Sequence, residues 1–251
     1  MRLSIVTAVR NGADVIAATL QSVGVQDYPV IEHIVIDGAS TDDTLGVVRR
    51  HGARVAIVQS ARDHGVYEAF NKGLRAASGD VVAFLNAGDV YAHTGVVSRL
   101  MRELSDPAID IVFGDLDLID RDRPTVVKRR YRCGSFTPAR LAAGFMPAHP
   151  TLFARREVYA EVGPYDERYG IAGDFEWCVR AFLKRDLRYR HVPETLVRMP
   201  TGGMSNRGLS SAWQITREMQ RACAQNAIET SWLKLIMRLP IKALTEFGRA
   251  P

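Results

Sequence analysis

Three short stretches combine carboxylates with small residues in patterns that could do chemistry. Asp37-Gly38-Ala39-Ser40-Thr41-Asp42-Asp43 offers carboxylates that could accept hydrogen bonds from a nucleobase N–H and from ribose hydroxyls. Asn86-Ala87-Gly88-Asp89 places a carboxylate on a tight loop. A hard divalent cation takes such an oxygen ligand together with water and substrate phosphates, so one protein carboxylate can suffice. Gly173-Asp174-Phe175-Glu176-Trp177 opens a helix, where Asp174 could take a proton from an attacking hydroxyl. Each stretch also has a plainer reading. Ser40 and Asp43 could cap a helix, Asn86 to Asp89 could be an ordinary turn, and Asp174 could be an acid favoured by the helix dipole. The cap reading leaves Asp37 unused.

The elements that must hold these groups alternate. Leu3 to Val9 is a short apolar run of the kind buried on both faces of a sheet. A helical pattern over Ala13 to Val25 stops at Asp27-Tyr28-Pro29, and a second strand, Ile31 to Asp37, ends on a carboxylate. Ser40 and Asp43 form a capping-box-like pair ahead of a helix running to Arg50. A strand at Arg54 to Val58, a helix at Val66 to Ala77 and a strand at Asp80 to Leu85 follow. Then come a helix at Thr94 to Leu104 and a strand at Ile109 to Phe113. This alternation predicts βαβ units and a mainly parallel sheet. Ligands bind beyond the carboxyl ends of such strands, which is where Asp37, Asp63 and Asn86 to Asp89 fall.

The second half is less regular. Arg121 to Arg132 reads as a solvated hairpin or loop around Pro124. Strands near Thr151 to Phe153 and Tyr189 to Val192, and helices at Asp174 to Leu183 and Gly208 to Ala227, complete the pattern. In the tail, Trp232, Leu235, Ile236 and Leu239 share one helical face, with Lys234, Arg238 and Lys242 on another. That pattern suits either an interfacial helix on anionic lipid or a helix packed on the main body, and Pro240 divides it.

With 251 residues, 47% hydrophobic and 24% charged, the chain reads as a folded protein rather than a disordered one. The three cysteines, Cys133, Cys178 and Cys223, are far apart and odd in number, which suggests neither zinc nor a disulfide framework and points to a reducing compartment. Met1-Arg2 leads straight into a strand without a signal-peptide pattern, and no apolar stretch reaches the length of a membrane span. A net charge of +5 favours an anionic partner. The basic residues are scattered without interleaved aromatics, which argues against nucleic acid.

Taken in order, the segments resemble the family 2 glycosyltransferases of the GT-A fold, especially compact bacterial enzymes of polysaccharide and glycolipid synthesis. The matching stretches are Ser4 to Asn11, Ile34 to Asp42, Asp63 to Gly73, Phe84 to Asp89 and His149-Pro150. Gly163 to Asp166, Gly173 to Trp177 and Gly202-Gly203-Met204-Ser205 complete the series. The resemblance spans roughly residues 3 to 206, most of the chain. It implies a Rossmann-like, mainly parallel sheet flanked by helices, with a C-terminal helical extension. Residues 1–228 would form the catalytic domain, 1–110 its nucleotide-binding half and 111–207 its acceptor-binding half, with 229–251 a basic amphipathic tail.

The implied roles follow the matched positions. Thr7, Ala8, Asn11, Asp37 and Ser40 would hold the nucleoside, with Asp63 and Lys72 nearby. Asn86, Ala87 and Gly88 would line the donor site, and Asp89, the last aspartate of the family's Asp-x-Asp element, would bind Mg²⁺ or Mn²⁺ across the diphosphate. Asp174 would be the base. His149 would contact acceptor or phosphate, or be structural. Two positions depart from the family pattern. Ala87 stands where the first aspartate of Asp-x-Asp would be, and Gly173 stands where an acid often precedes the base, which leaves Glu176 as a substitute base. The implied activity is inverting transfer of a sugar from a nucleotide-diphosphate donor to a glycan or lipid-linked acceptor in cell-envelope synthesis. The cysteines point to the cytoplasm, and the tail would give peripheral contact at the inner membrane face. The alternatives are a sugar nucleotidyltransferase and a non-catalytic sugar-nucleotide-binding protein. The first usually carries a glycine-rich basic loop after its first strand, whereas this chain has Thr7-Ala8-Val9-Arg10-Asn11-Gly12.

Overall fold

The computed structural model describes residues 1–184, 187–202 and 209–246, so Gly203-Met204-Ser205 and the side chain of Lys242 lie outside the described residues. The chain begins with β1 (Leu3–Val9), α1 (Ile16–Gly24), β2 (Ile31–Asp37), α2 (Thr44–His51), β3 (Val55–Ser60), α3 (Val66–Ala76) and β4 (Val81–Phe84). There follow β5 (Val90–Tyr91), α4 (Val96–Glu103), β6 (Ile111–Ile119), β7 (Val127–Tyr131), β8 (Phe153–Arg155) and α5 (Arg156–Val162). The chain closes with α6 (Gly173–Lys184), β9 (Tyr189–Pro200), α7 (Leu209–Gln225) and α8 (Trp232–Glu246).

One curled sheet runs β3-β2-β1-β4-β8-β6-β9-β5, with β7 added on β6. The strands β3, β2, β1 and β4 pair in parallel, as do β6 and β9, while β8 joins the two groups through antiparallel pairs with β4 and β6. The parallel register of Val9 with Asp37 and of Val6 with Phe84 brings the carboxyl ends of β2, β1 and β4 to one edge of the sheet. Strand β1 sits at the centre with Leu3, Ile5 and Val6 wholly buried, which explains its uninterrupted apolar run.

Several boundaries move. The expected strand ending at Phe113 continues to Ile119, and the basic segment after Arg121 supplies β7, the second arm of a hairpin on β6. Strand β9 extends well past Val192, to Pro200. The expected Ser40–Asp43 cap does not form. Asp42 accepts from the Thr44 N–H at 3.1 Å, and Ser40 turns back towards Asp37.

Two histidines are packed into this framework. His33 on β2 meets Thr7 Oγ1 through Nε2 at 2.9 Å, and His149 stacks on Phe70 with Nε2 2.8 Å from the Tyr165 hydroxyl. Burial lowers the pKa of each to about 4, so both are neutral at pH 7. An unfolded histidine protonates near pH 6.5. The unfolded state therefore takes up these two protons first, and stability falls as pH drops from about 6.5 towards 4. Chemical denaturation at pH 7 and pH 5 is expected to differ by about 2 kcal/mol per histidine. An unchanged midpoint would show that the folded protein accommodates the charged rings.

Helix α3 lies close against β1, and a Cβ on Gly73 would run into Val6 Cγ1. Alanine in place of glycine would favour the helix by about 1 kcal/mol. Val6 is β-branched and fully buried, so it cannot yield cheaply, and overpacking costs about 1–3 kcal/mol. Gly73→Ala is therefore expected to lower the denaturation midpoint, and a raised midpoint would show that β1 has room to give.

Candidate active site

Four loops leave the carboxyl edge of the sheet, and buried polar groups tie them together. Asp37 is wholly buried and accepts from the Ser40 N–H at 3.0 Å, from the Ser40 hydroxyl and from Ser60 Oγ at 2.6 Å. Ser40 Oγ in turn accepts the Asn11 N–H at 2.8 Å, and Asn11 Oδ1 accepts the Thr41 N–H at 2.8 Å. Asn11 and Ala39 both hold left-handed backbone, with φ of 49° and 55°. Asp63 packs its carboxylate over Gly38, where a Cβ would lie 2.6 Å from Oδ2. The Ala87 N–H donates to the Ala8 carbonyl at 3.3 Å, and Thr19 Oγ1 donates to the Asp89 carbonyl at 2.8 Å while accepting the Gly88 N–H at 2.9 Å.

Beside these loops a cavity opens, lined by Val66, Tyr67, Phe70, Asn86, His149, Gly170, Ile171 and Asp174. It brings together three of the residues singled out from the sequence, Asn86, His149 and Asp174. Asn86 Oδ1 is buried without a hydrogen-bond partner. Asp174 stands in the first turn of α6, where its Oδ1 accepts the Phe175 N–H at 2.8 Å and lies 3.4 Å from the Tyr67 hydroxyl. A neutral His149 brings aromatic surface to this wall and no positive charge.

The remaining residues take other places. Thr7 is wholly buried and turned to His33, so its side chain does not face the cavity. Lys72 Nζ is 2.8 Å from Glu68 and donates to the Arg62 carbonyl at 2.9 Å. Glu176, the substitute base read from the sequence, sits away from Asp174's surroundings. Glu176 is buried, and Arg180 holds its carboxylate from two sides at 2.7 and 2.9 Å, on a stretch of α6 that does not line the cavity.

Asp89 is outside the cavity lining and only 5% exposed. No donor or cation approaches its carboxylate among the described residues, and burial pushes its pKa up to about 7. A carboxylate left in that condition fits a role in which a cation arrives to meet it. No group of three or more His, Cys, Asp or Glu side chains able to hold a metal occurs among the described residues, so the cation's other ligands would come from substrate and water.

Two residues that shape the cavity carried no role in the sequence reading. Tyr67 donates its hydroxyl to the Ile171 carbonyl, and burial, aided by the Asp174 charge, holds that hydroxyl well above the usual tyrosine range. Glu218 on α7 accepts the N–H groups of Gly170, Ile171 and Ala172 at 3.1, 2.9 and 2.8 Å. Burial alone would raise its pKa, but these donors bring it below the ordinary value. The helix that follows begins where three backbone donors are already met. No local pattern in the sequence announces that contact, which joins positions 46–48 residues apart.

A sequence model described as Glycosyl transferase family 2 matches residues 4–163. The chain is 30% identical over 210 residues to a PGL/p-HBAD biosynthesis glycosyltransferase of Mycobacterium bovis, covering 81% of this chain and 78% of that one. Among solved structures, S. aureus TarS 1-349 in complex with UDP-GlcNAc superposes with a TM-score of 0.69 at 18% identity, over 90% of this chain and 66% of that one. Glucosyl-3-phosphoglycerate synthase from Mycobacterium tuberculosis, in complex with Mn²⁺, UDP and glucosyl-3-phosphoglycerate, gives a TM-score of 0.63 at 22% identity, over 92% and 81% of the two chains. The chain spans 39% of a longer TarS chain. The fold these structures share is that of the GT-A glycosyltransferases.

Proposed function

This chain belongs to glycosyl transferase family 2, and from that premise we propose that it moves a sugar from a nucleotide-diphosphate donor to a hydroxyl of a glycan or glycolipid acceptor, with inversion at the anomeric carbon. The observation that carries this reading is the meeting of Asn86, from the loop after β4, with Asp174, from the start of α6, around one cavity at the ligand-binding edge of the sheet. Residues 1–110 would bind the nucleotide and residues 111–207 the acceptor.

The loops held by Asp37, Asn11 and Ser40 would seat the nucleoside, and Asn86, Ala87 and Gly88 would border the diphosphate. A divalent cation at Asp89, Mg²⁺ or Mn²⁺, would supply charge stabilisation to the departing diphosphate. The structure of the synthase named above contains Mn²⁺, which supports that choice of cofactor. Asp174 accepts the proton of the acceptor hydroxyl as its oxygen attacks the anomeric carbon from the face opposite the diphosphate. The new C–O bond forms as the bond to the diphosphate oxygen breaks, and the nucleoside diphosphate leaves with that electron pair. One base and one displacement give inversion. The mycobacterial relative named for PGL/p-HBAD biosynthesis supports a glycolipid acceptor.

Asp174→Asn is expected to reduce turnover by about 10²–10⁴-fold while leaving nucleotide affinity within a few-fold, as removal of a general base requires. Turnover close to wild type would remove Asp174 from this role. Calorimetric titration of UDP, GDP and dTDP with and without Mn²⁺ is expected to show one nucleotide whose binding the metal strengthens, and Asp89→Ala should remove that strengthening. Metal-enhanced binding that survives the substitution would place the cation elsewhere.

A further inference from the structure

Helix α8 is turned the opposite way from an ordinary surface helix. Its inward side carries Leu235 and Arg238, both buried. Arg238 donates to Thr216 Oγ1 at 3.2 Å and to the Leu235 carbonyl, and its stem lies against Gly144, where a Cβ would be 2.8 Å from Cδ. The outward side carries Leu233, Ile236, Met237, Pro240 and Ile241 at the i, i+3, i+4, i+7, i+8 spacing of one helical face. Leu233 is 71% exposed, Met237 47% and Ile236 43%. The sequence expectation that Leu235 and Ile236 share the apolar face, with Arg238 on a separate cationic face, is therefore corrected: Leu235 and Arg238 point in together, and Ile236 points out.

The patch continues onto α7. Trp213, 60% exposed, stacks on Trp232 with ring centroids 4.7 Å apart. Arg217, one turn on from Trp213, is exposed, as is Lys234 at the border of the apolar face. Residues 231–242 contain Lys234, Arg238 and Lys242 and no acid. No helix among the described residues is long and apolar enough to cross a membrane, so this face can rest on a bilayer but not span it.

We propose that the joint outer face of α7 and α8 is a docking surface for an anionic lipid bilayer, with Leu233, Ile236, Met237 and Ile241 entering the acyl boundary and Arg217 and Lys234 meeting headgroups. Charge favours this occupant over a second copy of the chain. A symmetric pairing would press two identical cationic rims together on a chain of net charge +5, whereas anionic headgroups complement them. Tryptophans at the border of an apolar face suit the headgroup level. The same helix α7 that carries Trp213 carries Glu218, which holds the Gly170–Ile171 wall of the cavity.

The test uses the full chain, without donor or acceptor, so its outcome does not depend on the transfer reaction. Sedimentation with phosphatidylcholine vesicles containing phosphatidylglycerol is compared with pure phosphatidylcholine vesicles, at low and high salt. The expected result is binding to the anionic vesicles that salt weakens and that the double variant Leu233→Asp, Ile236→Asp reduces by about tenfold or more. Brominated lipid should quench part of the tryptophan emission through Trp213 and Trp232, while Trp177, wholly buried, stays unquenched. Circular dichroism verifies that the variant is folded, and Trp213→Ala, at an exposed side chain, serves as a second variant. Absence of vesicle binding, binding that ignores both variants, or a concentration-dependent dimer that the substitutions dissolve would each overturn the proposal, the last by assigning the face to a second copy.

Discussion

A carboxylate taken out of water without a cation must be met by hydrogen-bond donors, and the loops at the ligand-binding edge are arranged around that requirement at Asp37. Its donors come from the 37–43 turn and from Ser60 at the end of β3, and Ser40 carries the network on to Asn11 after β1. Three strand ends are thereby fixed relative to one another through a single side chain. The left-handed backbone at Asn11 and Ala39 is tolerated because these bonds hold it in place. Asp89, buried to a similar degree on the adjoining loop, has no comparable donors, and its raised pKa is the consequence. Two buried carboxylates on neighbouring loops thus differ in kind. Asp37 has its donors within the protein, whereas Asp89 is buried without them.

The position of Asp174 is set from outside its own helix. Tyr67 reaches across from α3 to the Ile171 carbonyl, and Glu218 reaches from α7 to the three N–H groups ahead of α6. These contacts account for the departure at Gly173. A Cβ there would lie 2.7–2.9 Å from the Tyr67 ring, so the position that often carries an acid in the family is occupied here by an aromatic face. The carboxylate two residues beyond Asp174 is bound to Arg180, which also donates to the Val162 and Pro164 carbonyls and so anchors α6 to the α5 segment. One acid of this helix faces the cavity and the other stabilises the helix that presents it.

Much of the first half was legible because its signals are local. The apolar runs of β1 and β2, the periodic face of α3 and the acidic strand ends all lie within a few residues of one another, and the structure keeps them with small changes of boundary. The second half was less legible for a definite reason. Strand β6 continues through Asp115 and Asp117, two buried acids that interrupt the apolar pattern. What allows the burial of Asp115 is remote: Arg132 and the Cys133 N–H from the β7 side, and His191 from β9, meet it, and Arg132 also lies 3.7 Å from Asp117. A run reading Phe-Gly-Asp-Leu-Asp-Leu looks like a strand that has ended when those partners are not in view. The same limit applies at the site. Asp174 and Asn86 could be singled out as types, but that they face one cavity depends on β8 joining the two strand groups in antiparallel register.

The tail shows how a helical wheel can be right about amphipathicity and wrong about orientation. Apolar residues make up more than half of α8, so apolar side chains lie around most of the helix and polar contacts help to decide which side turns inward. Arg238 finds a hydroxyl on α7 and a carbonyl on its own helix, and its aliphatic stem fills the space over Gly144, whose φ of 76° closes the preceding turn. An arginine can turn inward in this way because its long stem packs as an apolar group while its head finds oxygen acceptors. Once it does so, the outer face must carry what the inner face does not, and leucine, isoleucine and methionine are left towards solvent. The exposed apolar surface is thus fixed by the same buried contacts that hold α8 to α7, and through Glu218 that helix pair is joined to the wall against which Asp174 stands.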